Sequence, residues 1–97
     1  MRYLFGLQVD DLQSCAESIA QSTNIEMKSR ESDYLGIYFC GSTSELTIDV
    51  VLQPDPEGEP MEPEFEQFHV LVYVEAPAGF ELLDDLCVED AALVRLK

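Results

Sequence analysis

Six carboxylates, Asp55, Glu57, Glu59, Glu62, Glu64 and Glu66, fall between Gln53 and Gln67, together with Pro54, Pro56, Pro60 and Pro63 and no positive charge. Carboxylates at this density can ligate calcium, share a proton in acid–base catalysis, or dock on a basic surface. Calcium loops of the EF-hand type need oxygen ligands at alternating positions and a glycine at the sixth. Here Gly58 is fourth counting from Asp55, and prolines stand where ligand geometry needs freedom. No metal or other cofactor is expected. A glycosidase-like carboxylate pair needs a cleft around a sugar, which a chain of 97 residues rarely encloses. Docking fits better. The prolines forbid a continuous helix and hold the backbone extended or turned, so little entropy is lost when such a loop orders on a partner. A plain solvated loop between two strands is the simpler alternative.

Other reactive side chains are sparse. His69 is the only histidine and sits in an apolar, strand-like run, where a place on a sheet face is expected rather than a role as general base. Cys15, Cys40 and Cys87 are odd in number and widely spaced, which fits neither a disulfide framework nor a CxxC metal pattern. They read as reduced, small apolar residues. Phosphate-binding glycine loops, HExxH and GxSxG are all absent, and no enzymatic activity is expected.

Charge then selects the class of partner. The chain has 20 Asp plus Glu against 5 Lys plus Arg, a formal charge of -15, and 16 of the carboxylates lie between Arg30 and Arg95 with no Lys or Arg among them. Such a surface repels nucleic acid and anionic membranes and attracts a basic protein. A second acidic cluster, Glu81, Asp84, Asp85, Glu89 and Asp90, follows the first. No segment resembles a signal peptide or reaches the ~18 apolar residues of a membrane span. A cytoplasmic protein is the expectation.

Hydrophobic periodicity supplies the elements that position these groups. Arg2 to Val9 alternates with Tyr3, Phe5, Leu7 and Val9 on one face, a strand. Asp10 reads as a helix N-cap with Gln13 completing a capping box. Leu12, Cys15, Ala16, Ile19 and Ala20 then recur at helical spacing until Ser22, Thr23 and Asn24. Residues 25–33 are open between a short strand and a loop. Leu35, Ile37 and Phe39 share a strand face opposite Tyr34, Gly36, Tyr38 and Cys40. A turn at 41–44 leads to Leu46, Ile48, Val50 and Leu52, and a third strand carries Phe68, Val70, Val72 and Val74. Phe80 to Leu86 reads as a short second helix, and residues 90–97 as a closing strand with helix as the alternative. A single α+β domain over residues 1–97 is predicted: two layers, a mostly antiparallel sheet with one main helix and a short second helix on one face. The opposite face would gather Tyr34, Tyr38, Asp49, Val51, His69, Leu71 and Tyr73. Tyrosines there suit a protein contact, unless loops or the second helix cover them.

Two segments carry a family resemblance. Tyr34-Leu35-Gly36-Ile37-Tyr38, a following strand, and Glu62-Pro63-Glu64-Phe65-Glu66-Gln67-Phe68 leading into Val70-Leu71-Val72-Tyr73-Val74 resemble the small immunity proteins of bacterial toxin–immunity systems, including contact-dependent growth inhibition. The resemblance spans 34–74 and implies tight binding and neutralisation of a cognate toxin domain, often a nuclease. It makes the matching acidic and aromatic positions candidate contacts, Glu62, Glu64, Glu66, Tyr34, Tyr38 and Tyr73; Asp55, Glu57 and Glu59 join them as the rest of the acidic loop, and Asp84 and Asp85 from the second cluster. The carboxylates would occupy the electropositive site that a nuclease uses for phosphates. Composition fits a second reading as well, a phage or mobile-element DNA mimic that blocks a nucleic-acid-binding defence protein.

Overall fold

The computed structural model describes residues 1–8, 10–54, 56–79, 83, 86–88 and 91–97. In chain order these form β1 (Arg2–Leu7), α1 (Leu12–Thr23), β2 (Lys28–Ser32), β3 (Gly36–Ser42), β4 (Thr47–Leu52), a 3-10 turn (Pro63–Phe65), β5 (Val70–Glu75), β6 (Cys87–Val88), β7 (Ala91–Ala92) and β8 (Val94–Arg95). Six strands pair antiparallel in the order β2-β3-β4-β5-β1-β8, and β6 and β7 make a separate two-stranded ribbon. The fold is α+β, as the periodicity predicts. Residues 25–33 resolve in favour of a strand, β2. The closing segment is strand too, but split: β7 turns back on β6, and only β8 joins the main sheet, against β1. Of the predicted helix at 80–86, all but Leu83 and Leu86 lie outside the described residues.

Alternation along the strands sorts side chains onto two faces. Tyr3, Phe5 and Leu7 of β1, Ile48 and Val50 of β4 and Val70, Val72 and Val74 of β5 pack beneath Cys15 and Ile19 of α1. This is the helix face. Helix entry differs by one residue from the capping-box expectation. Asp11, not Asp10, is the N-cap: its carboxylate accepts from the Ser14 amide and the Ser14 hydroxyl, both at 3.0 Å. Gln13 instead donates to Glu17 at 3.2 Å, one turn on. Asn24 ends the helix in the left-handed region (φ 58°), which asparagine tolerates better than most residues.

On the opposite face, Leu4, Val51, Phe68 and Leu71 form a second buried cluster, with Leu35, Tyr38, Met61, Phe65, Tyr73 and Leu96 around it. Two side chains sit here against expectation. Leu35 precedes β3, and the positive φ of Gly36 (71°) interrupts the alternation between them. Phe68 precedes β5 and is turned by a bond from its amide to the Phe65 carbonyl at 3.1 Å, so it leaves the Val70–Val74 series. Gly6 makes room for it. A Cβ there would lie 2.7 Å from the Phe68 ring and 2.8 Å from Leu96 Cδ1.

Candidate functional site: an acidic loop pinned to the sheet

The proline-rich acidic segment is not a free arm. It folds back over half of the second sheet face, which is therefore the loop face. Gln53, at the end of β4, is 4% exposed and organises the fold-back. Its side-chain amide donates to the Phe65 and Phe68 carbonyls, each at 2.7 Å, and its Oε1 accepts from the Glu62 amide at 3.1 Å. The Gln53 amide also donates to the His69 carbonyl at 2.9 Å, aligning the two ends of the loop. One buried side chain thus satisfies backbone groups at three points along the segment, none of which has a strand neighbour to pair with. The 3-10 turn closes through Phe65 N to Glu62 O at 2.9 Å, and proline at its first position suits a helical start. Met61 and Phe65 then lie on the cluster around Leu71. Near the other end of the loop, Pro56 lies over Gly36, where a Cβ would meet Pro56 Cγ at 3.1 Å.

The six carboxylates separate into different roles. Glu62 is half-buried and engaged internally. It accepts from the Tyr73 hydroxyl at 3.1 Å, and Lys97 Nζ lies 3.5 Å away. Lys97 also stands 5.8 Å above the Phe65 ring, tying the C-terminal residue to the loop. Burial, then the charge of Glu62 and its hydrogen bond, push the Tyr73 phenol well above its ordinary range, so it stays a donor. Glu57, Glu59, Glu64 and Glu66 are exposed, and Asp55 lies outside the described residues. A dent of about 220 Å3 lined by Gln53, Pro54, Gly58, Pro60 and Glu66 lies in the loop.

The tyrosines predicted for one sheet face also separate. Tyr38 and Tyr73 belong to the loop face and are partly covered, whereas Tyr34 is in the β2–β3 turn and 73% exposed. His69 is exposed just before β5, and its backbone bridges Leu7 and Gln53. Asp84 and Asp85 lie outside the described residues.

Beyond the loop, the same sheet face is open. Lys28, Cys40 and Asp49 follow one another there in register and lead on to Tyr73, partly covered by the loop, and to the buried Leu4. Ser42, Thr47, Glu75 and Arg2 form the next row. Grooves of about 460 Å3 and about 270 Å3 run over these rows and meet at Thr47 and Asp49. Partial burial raises the pKa of Asp49. Among the described residues no group of three or more His, Cys, Asp or Glu is arranged to hold a metal ion, and no helix is long and apolar enough to cross a membrane.

No protein family, curated protein or solved structure matches the chain. The resemblance to immunity proteins rests on its short motifs alone. Gln53 is the residue that sequence reasoning missed: a lone glutamine at the head of a polar run carries no periodic signal. Its place directly after the apolar Val50-Val51-Leu52 is the only hint that it could be buried.

Proposed function

We propose that this chain is a binding protein that neutralises a basic protein domain, the nuclease domain of a bacterial toxin in the cytoplasm, by covering its electropositive site. The observation that carries this reading is the loop pinned by Gln53 at Glu62, Phe65 and Phe68, in which Glu57, Glu59, Glu64 and Glu66 are exposed. Pre-ordered carboxylates lose little entropy on docking. A field from -15 formal charges speeds the encounter with a basic surface. Prolines and Glu66 around the loop's dent suit the aliphatic stem and charged head of an incoming lysine or arginine. Inhibition on this reading is steric and electrostatic, and the chain performs no chemistry.

Co-expression tests it. The chain is produced with the polypeptide encoded immediately upstream of it, and growth, nuclease activity and co-purification are measured. Restored growth, lost nuclease activity and a stable complex are expected. An upstream product that is not basic, or that stays fully active beside an excess of this chain, overturns the reading.

A further inference from the structure

The loop reading leaves β2 unexplained. In a chain this acidic, β2 carries Lys28 and Arg30, two of the five basic residues. It is an edge of the six-stranded sheet, and among the described residues it pairs only with β3. Residues 28–31 are exposed, and the opposite edge, β8, is only two residues long. An uncovered edge strand offers a row of backbone donors and acceptors to an incoming strand.

Side chains specify which strand fits. Lys28 and Arg30 are two apart and therefore share a face. Register places Lys28 opposite Cys40 and Arg30 opposite Tyr38, so both belong to the loop face, and both line the larger groove. Arg30 leans across β3, its Nε donating to Cys40 Sγ at 3.1 Å, while its terminal nitrogens make no hydrogen bond among the described residues. A strand added to β2 would set its alternate residues beside these two cations. Opposite charges directly across a ladder attract and like charges repel.

A second copy of this chain is a poor occupant. Two-fold antiparallel pairing centred on the middle of β2 would set Arg30 against Arg30 and bring together two bodies of charge -15. We infer that β2 is a strand-addition site for an extended segment of another protein with acidic residues at alternate positions. This site is separate from the acidic loop and does not depend on the toxin reading.

A capped peptide Thr-Glu-Thr-Glu-Thr and its counterpart with Lys in place of Glu serve as probes, followed by amide chemical shifts and hydrogen exchange on the full chain. The Glu peptide is expected to bind and to slow exchange of β2 amides, and the Lys peptide to bind far more weakly. Lys28→Glu with Arg30→Glu, both at exposed positions, should weaken the Glu peptide roughly tenfold, because two cross-strand attractions become repulsions. Equal binding of both peptides, shifts without β2 protection, or no binding at about 1 mM peptide would overturn the proposal. In that last case the two cations serve only to keep strands off the edge.

Discussion

The two faces of one sheet are closed by different physics. On the helix face, α1 lays Cys15 and Ile19 onto Phe5, Leu7, Val50 and Val72, and apolar contact does the holding. The cover's backbone bonds run within its own helix, with Asp11 capping the Ser14 amide at its start and Asn24 turning the chain out at its end. On the loop face the cover has no repeating hydrogen-bond ladder. It depends on Gln53 for its backbone partners and on Met61, Phe65 and Phe68 for apolar contact. A periodic cover closes its face along its length, whereas an aperiodic one closes only where particular side chains hold it. The second face consequently stays half open, with an acidic platform at one end and a mixed-charge groove at the other.

The largest effect should come from the helix face. Ile19→Ala removes a fully buried side chain, and such truncations cost about 2–5 kcal/mol. Denaturant melts should show one cooperative transition at lower midpoint, because α1 and the sheet share a core. Next, Gln53→Ala leaves the Glu62 amide and the Phe68 carbonyl without that partner and the Phe65 carbonyl with only its bond from the Phe68 amide, at about 2–3 kcal/mol. Its signature should be local. Hydrogen exchange should rise across 56–68 before the strands are affected, and a uniform rise would show that the two covers are not energetically distinct. Gly6→Ala drives a methyl group into Phe68 and Leu96 from beneath the loop, an overpacking cost of about 1–3 kcal/mol, read from the shift in melting temperature.

Smallest at neutral pH is Tyr73→Phe, which removes the hydroxyl bonded to Glu62 at about 1 kcal/mol. Alkali separates the faces again. Burial and then the Asp11 charge push the Cys15 thiol from 9.0 up to about 12. An acid with a raised folded-state pKa gives stability that is present below its unfolded value and lost as pH climbs through the folded one. Cys15 therefore takes stability away between pH 9.0 and about 12, and Cys15→Ala should flatten that decline in pH-dependent melts. Tyr73→Phe should flatten the part that belongs to the loop face.

The same contrast governs what could be read from sequence. Tyr3, Phe5 and Leu7, or Val70, Val72 and Val74, announce their strands because one side of each is buried by a regular layer. β2 is ambiguous because Lys28, Ser29, Arg30 and Glu31 are all exposed, so no alternation marks it. The glutamates of the acidic loop look alike in sequence. Only the fold separates Glu62, bonded to Tyr73, from the exposed Glu57, Glu59, Glu64 and Glu66. Simple alternation places Leu35 and Phe68 on the wrong face because each sits one or two residues before its strand, where a turn and not the pleat sets direction.

The central claim is that the pinned loop is a ready-made carboxylate platform for a basic partner. It is tested most directly by stopped-flow association with whatever basic domain co-purifies in the co-expression experiment, comparing wild type with Glu57→Gln, Glu59→Gln, Glu64→Gln and Glu66→Gln combined. All four positions are exposed. At low salt the variant should associate at least about tenfold more slowly, and the difference should shrink near ~0.5 M salt, where screening is nearly complete. Equal association rates at low salt, with the variant folded, would contradict the claim.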